Sequence, residues 1–439
     1  MRFFEHKLSL VILFFSIPLL FLPKINLISI DSNESAGLRI DDIILFFVAI
    51  LLMWSHALSH QRLYKIEGWI LLITAFSFVS FLSNRLLVSL NVLHMDAKIF
   101  YTVRLMEYFI FFYIGAMASQ YFGCSSIVRA FFLWNFLIMT LQKMGLAGAV
   151  TVEGYYGDVS TRVLGVASFP SEMGLVLNLL FCYMIWDESA PSRFVNLFRA
   201  PLIRHLLRSF YLYWMFALFG IFVIFTGNRI SIVALLVCFF ARFFQKLKFR
   251  SMGSLVTLLV FIPLLLAGIG FLITKSEGVY ERSSALFSFK NLELFTVVWD
   301  HIDITREPLG SEMDSTENYD MSWWIRIHKW LFAAKSYLSN PMCYLQGLGP
   351  GFAQAALDGG LLRILTEYGL IGAFIYWKFF ACLYRLNSQT KWMSIAFLIN
   401  MIFFDAYLAY KTMSFFFFTC GHIFETQRRT SLRLIMIRK

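Results

Sequence analysis

Long apolar runs recur along this chain with only short polar stretches between them, and that pattern sharply limits the folds open to it. Crossing hydrocarbon as a helix takes about 20 apolar residues. Runs of roughly that length read as spans at 8–23, 40–57, 68–84, 99–118, 128–146, 170–186, 209–226, 229–244, 254–274, 361–382, 392–409 and 411–426. With 59% hydrophobic and 15% charged residues, a soluble domain of 439 residues could not bury the apolar surface it would make. The expected fold is all-α: a polytopic membrane bundle of about twelve transmembrane helices. One large loop between spans is expected to carry an interfacial amphipathic helix. The chain divides into 1–274 with the first nine spans, 275–360 as the loop, and 361–439 with the last three spans and a tail.

The short loops orient the bundle. Basic residues follow the second span (Arg62, Lys65), the sixth (Arg193, Arg199, Arg204, Arg208), the eighth (Arg242, Lys246, Lys248, Arg250) and the last (Arg428, Arg429, Arg433, Arg438). Arg2 and Lys7 precede the first. This alternation puts both termini in the cytoplasm, and long loops cross regardless of charge. The opposite face receives 24–39, 85–98, 147–169 and about 275–360. The net charge of +11 is scattered over these loops, which argues against nucleic acid as a partner. The first apolar run lacks a small-residue cleavage site, so it is expected to remain as a span. The cysteines show neither a disulfide framework nor metal-ligand spacing.

Polar chemistry concentrates in 322–377. Residues 276–321 are acidic and read as an exposed cap. Beyond them Trp323, Ile327, Trp330, Leu331, Ala334 and Leu338 share one helical face, as suits a helix lying at a membrane surface. Arg326 flanks that stripe, where it serves either as a headgroup anchor or as an anion ligand. Asn340-Pro341 ends the helix. Gly347, Gly349 and Gly351 then form a turn of the kind that can offer backbone N–H groups to phosphate. Asp358 precedes the next span. Arg363 and Glu367 follow as an i,i+4 pair that can neutralise itself. Gly369 and Gly372 are spaced for close helix packing.

Other charges at span ends are functional candidates because charge is costly in hydrocarbon. Arg229 follows a Thr-Gly-Asn turn with no acid nearby in sequence. Arg162 precedes the Phe169-Pro170-Ser171-Glu172 helix start. Arg104 with Glu107 reads as a local pair, and Asp405 sits in a span without a local mate. Arginines gathered on one face suit phosphate or pyrophosphate, which guanidinium grips with two parallel hydrogen bonds. Anionic lipid headgroups would be held the same way.

The turn at 226–229, the stretch from Arg326 through Asn340-Pro341 to GLGPG at 347–351, DGGLLRILTEYGLIG at 358–372 and RVLGVASFP at 162–170 together resemble bacterial O-antigen polymerases and the related ligases. The resemblance implies a periplasm-facing glycosyltransferase of the inner membrane. Its substrates would be oligosaccharide repeats on undecaprenyl pyrophosphate, and a growing glycan would pass from its carrier to a sugar hydroxyl of the next repeat. The leaving pyrophosphate drives such a transfer, so neither cofactor nor metal is implied. A chain-length co-polymerase is the implied protein partner. Carried over, Arg229, Arg326 and Arg162 stabilise the leaving charge, and Asp358 and Glu367 are candidate bases. Arg363, Glu172 and the three turn glycines contribute to substrate binding.

Ligases of this superfamily typically carry a histidine followed by asparagine just before the glycine-punctuated span. Here Asp358-Gly359 stands there, and no histidine lies between 329 and 421. That favours polymerase over ligase. A flippase would be expected to show internal repeats and small outer loops, and the chain shows neither.

Overall fold

A computed structural model describes residues 2–24, 26–29, 37–59, 65–150, 157–187, 201–246, 290–305, 321–352 and 356–437. Among these, helices dominate: α1 (Arg2–Phe21), α2 (Ile40–Ser59), α3 (Lys65–Ser89), α4 (Ile99–Ala118), α5 (Cys124–Lys143), α6 (Pro170–Trp186), α7 (Pro201–Thr226) and α8 (Arg229–Lys246). After them come α9 (Lys290–His301), α10 (Met321–Ser339), α11 (Cys343–Gln346), α12 (Gly360–Tyr384), α13 (Ser388–Asn400) and α14 (Tyr410–Ile437). The expected ninth span, 254–274, and most of the acidic cap lie outside the described residues.

Among the described residues three helices, α3, α4 and α5, are long and apolar enough to cross a membrane. Their outward faces stay apolar: Leu71, Val79, Leu82 and Leu86 are exposed along α3. Bare apolar surface on this scale is a liability in water and is natural in lipid. The protein is therefore membrane-associated.

Inside the bundle, aromatic side chains fill the contacts. Phe131 stacks on Phe415, Phe397 on Phe416 and Trp186 on Trp392. The tightest crossing joins α4 to α14. A side chain at Gly115 would strike the backbone of Phe418, and one at Gly421 the backbone of Phe112.

Interhelical bonds gather the loops at two opposite ends. At one end, Lys411 Nζ donates to Leu19 O at 2.7 Å and Tyr108 Oη to Leu408 O at 2.8 Å. There too, Lys98 N bonds Pro350 O at 2.8 Å, and Val163 N bonds Phe225 O at 3.0 Å. At the other end, Gln389 bonds Tyr183 O, Gln427 bonds Leu386 O, and the Arg242 guanidinium lies 4.4 Å from the Trp186 ring centroid. The first end holds the candidate site residues.

Helices dominate as expected, and among the described residues Asn26–Ser29 and Gly37–Arg39 add one short antiparallel hairpin with Ile28 opposite Leu38. The expected span 392–409 is not one helix. Helix α13 stops at Asn400, and 401–409 run through turns and a 3₁₀ segment at Ala406–Leu408. Burial on α10 extends well beyond the expected apolar stripe, reaching Ala333 and Tyr337 as well. Trp324, Ile327, His328, Phe332 and Ser336 are buried while Leu338 is exposed. The reason is that α10 packs against α9 and the 343–352 segment, partners that its own periodicity cannot report. Gly369 does give a close approach, to the Leu345–Gly347 backbone, and it also breaks α12, with φ 63° and ψ −167°.

Candidate functional site

The centre of the site is a fully buried arginine. Arg363 lies one turn into α12, and its Nε donates to Glu367 Oε1 at 2.8 Å. Its Nη1 donates to Asp405 Oδ2 at 2.8 Å, and its Cζ lies 5.2 Å from the Tyr101 ring centroid. Glu367 is closed off by further donors: Tyr407 Oη at 2.7 Å on Oε2 and Gly351 N at 2.9 Å on Oε1. Two carboxylates around one guanidinium, with their remaining lone pairs bonded, is the arrangement in which buried charge is tolerated.

Asp405 does more than balance Arg363. Its Oδ2 accepts from Leu357 N at 2.7 Å and Asp358 N at 3.3 Å, and its Oδ1 from Gly359 N at 3.1 Å. These bonds explain the early end of α13: the chain leaves the helix so that Asp405 can reach the amides ahead of α12. They also hold Asp358 at φ 56°, a left-handed conformation that only a few non-glycine residues adopt. Such strain persists where the surroundings over-determine it, and it concentrates at functional sites.

Asp358 is the exposed front of this assembly. Arg326 Nε lies 3.2 Å from Asp358 Oδ2, with the two side chains 27% and 36% exposed. Trp330 of the same helix fixes the segment from behind, its Nε1 donating to Leu357 O at 3.0 Å. Lys329 Nζ donates to Ala356 O at 2.8 Å. Burial lowers the Lys329 pKa, and the nearby charges of Asp358 and Asp405 act in the opposite sense.

Behind Asp358 the glycine turn folds onto the break in α12. Leu348 N donates to Thr366 O at 2.7 Å and Gly349 N to Glu367 O at 3.0 Å. A side chain at Gly347 would strike the Glu367 backbone, and one at Gly369 would come within 2.5 Å of Leu345 O. The amides of Gly347, Gly349 and Gly351 are thus engaged with protein acceptors, Gly347 N donating to Cys343 O at 2.7 Å. The turn is a brace for Glu367, not an open phosphate cradle.

The structure brings Arg162 to the turn that precedes Arg229. Arg162 Nε donates to Thr226 O at 3.1 Å and lies over Gly227. The turn is tied inward through Asn228 Nδ2 to Ser231 Oγ and from there to Asn400 Oδ1, each at 2.7 Å. It therefore connects to the 401–405 segment that carries Asp405. Arg162 thus lies against the turn from which α8 and Arg229 begin, and Arg326 pairs with Asp358.

Three sequence candidates hold different parts from those expected. Arg363 and Glu367 are fully buried and bonded to each other. Glu172 is also buried, its Oε2 accepting from Ser168 N at 2.9 Å and its Oε1 from Lys411 N at 2.7 Å. All three are buried and bonded to groups of the protein itself. Sequence reasoning gave no role to Asp405, Tyr407, Tyr101 or Lys329. Of these only Asp405 carried a signal, as an acid inside an apolar run. Among the described residues, no cluster of histidine, cysteine and carboxylate side chains has the grouping a metal ion needs.

No family model matches the chain, and no curated protein matches it significantly.

Proposed function

We propose that this chain is an inner-membrane polysaccharide polymerase of about twelve spans, with both termini cytoplasmic and the Arg326–Asp358 end facing the periplasm. It transfers a growing glycan from undecaprenyl pyrophosphate to a sugar hydroxyl of a second lipid-linked repeat. The observation that carries this reading is the Arg326–Asp358 pair. A guanidinium and a carboxylate meet at a partly open surface, and the carboxylate is held in a strained backbone conformation by Asp405.

In the reaction, the acceptor hydroxyl attacks the anomeric carbon of the donor sugar, and the bond from that carbon to pyrophosphate breaks. Asp358 takes the hydroxyl proton. Arg326 gives up part of its contact with Asp358 to the departing diphosphate and stabilises its growing charge. Arg162 and Arg229, at the same end of the bundle, hold the diphosphate or its lipid-side phosphate. Arg363, Glu367, Asp405 and Glu172 keep the reacting groups in register. The exposed apolar faces of α3 are suited to the polyprenyl tail as well as to bulk lipid. A separate co-polymerase setting chain length fits the same reading.

One gel of surface polysaccharide from a deletion strain tests this. The polymerase reading requires that a single repeat remain on the acceptor. Long glycan stranded on its carrier would make the protein a ligase. Absence of all external glycan would make it a transporter, and an unchanged ladder would remove the protein from glycan assembly altogether.

A further inference from the structure

A cavity of about 190 Å³ opens beside the site, between the 92–95 loop, the end of α10 and the glycine turn. It holds on the order of six waters, given the ~30 Å³ that each occupies in the liquid. That is the bulk of one sugar ring. Its polar lining comes from Ser336, Ser339, Asn340 and His94, and Leu93 and Phe352 supply apolar wall.

Ser336 is the telling residue. It is 8% exposed, and its Oγ is buried without a hydrogen-bond partner. A buried helical serine ordinarily turns back to the carbonyl four residues earlier, as Ser16 does to Ile12 O and Ser414 to Tyr410 O. Ser336 makes no such bond. A buried hydroxyl left unmatched in this way costs stability, and Ser336 is the one such serine among the residues that line the cavity. Neither lysine nor arginine lines the cavity, so it does not suit diphosphate. Hydroxyl and amide groups beside an apolar wall suit a neutral polyol.

We propose that this cavity is a glycan subsite that binds one sugar ring of a repeat remote from the bond being made. The inference rests on the polymerase reading and adds the place where the repeat is recognised. Ser336 follows Arg326 by ten positions on the same helix, which is about 15 Å of helical rise. That distance is the length of a short oligosaccharide, so one glycan can reach from Ser336 to the Arg326–Asp358 pair. Helix α10 would then act as a ruler, reading the repeat at one end and reacting it at the other.

The test uses the full chain in lipid nanodiscs. The probe is the lipid-free single repeat released from the cell's own surface polysaccharide, with binding read by saturation-transfer NMR and titration. Ser336→Leu fills the cavity from α10, and Val92→Trp, at an exposed loop position, fills it from the opposite wall. Either change is expected to weaken repeat binding about tenfold or more, while Leu133→Ala, on the exposed apolar face of α5, leaves it within twofold. Undiminished binding in both cavity variants, or no binding to the unaltered protein, overturns the subsite. A normal polymer ladder from Arg326→Ala overturns the polymerase reading instead, so the two failures are told apart.

Discussion

Arg363 and Asp405 lie 2.8 Å apart across 42 positions of sequence, joining the start of α12 to the broken segment after α13. Through Asp405 that one contact fixes the amides of residues 357–359, and with them the partly open acid Asp358.

Removing the cation from this cluster is predicted to do more harm than removing one acid. Arg363→Met leaves Glu367 and Asp405 buried close together with no cation between them, whereas Asp405→Asn keeps Arg363 paired with Glu367. Breaking a buried ion pair typically costs about 3–5 kcal/mol. Thermal unfolding in detergent should therefore rank Arg363→Met below Asp405→Asn, and both below the unaltered protein. The reverse order would contradict the cluster as described.

Strain and chemistry can be separated at Asp358. Glycine accepts its φ of 56° at no steric cost, so Asp358→Gly is expected to insert and unfold like the unaltered protein. Loss of a positioned base lowers transfer by about 10²–10⁴-fold. Polymer yield at matched protein level is the measurement, and full yield from Asp358→Gly would remove the carboxylate from the chemistry.

The break in α12 depends on glycine. Gly369→Ala places a methyl group against Leu345 O at a φ of 63° and is expected to destabilise by about 1–3 kcal/mol. Gly68→Ala, in α3, meets nothing within 4 Å and is expected to be neutral or mildly stabilising. The difference between their unfolding midpoints checks both.

Lys329 gives a pH dependence of known sign. Burial lowers its pKa in the folded protein. Between that lowered value and the usual lysine value, only the unfolded chain holds the proton, so stability rises with pH across that window. Lys329→Met should flatten the slope of unfolding midpoint against pH on the alkaline side of neutrality. An unchanged slope would place its origin elsewhere.

The helical runs were legible because hydrocarbon demands apolar length, and α3, α4 and α5 show it directly. Helix α13 was not, since Ile402, Phe403 and Phe404 continue the apolar pattern past Asn400 while the chain has already left the helix. Hydropathy reports the medium around a residue, not the path of its backbone. The Arg363–Glu367 pair was legible as an i,i+4 spacing, but Asp405 needed a partner from another helix. In α10 the sequence marked an amphipathic helix correctly. It could not show that α9 and the glycine turn would choose which face was buried.

In the proposed transfer Arg326 and Asp358 act as one unit. The direct measurement is the rate of polymer formation by purified protein from lipid-linked repeat, for Arg326→Ala, Asp358→Gly and the double variant. Groups that act together are grossly non-additive, so the double variant should be no slower than the worse single variant. Two multiplying losses, or a normal rate in either single variant, would contradict it.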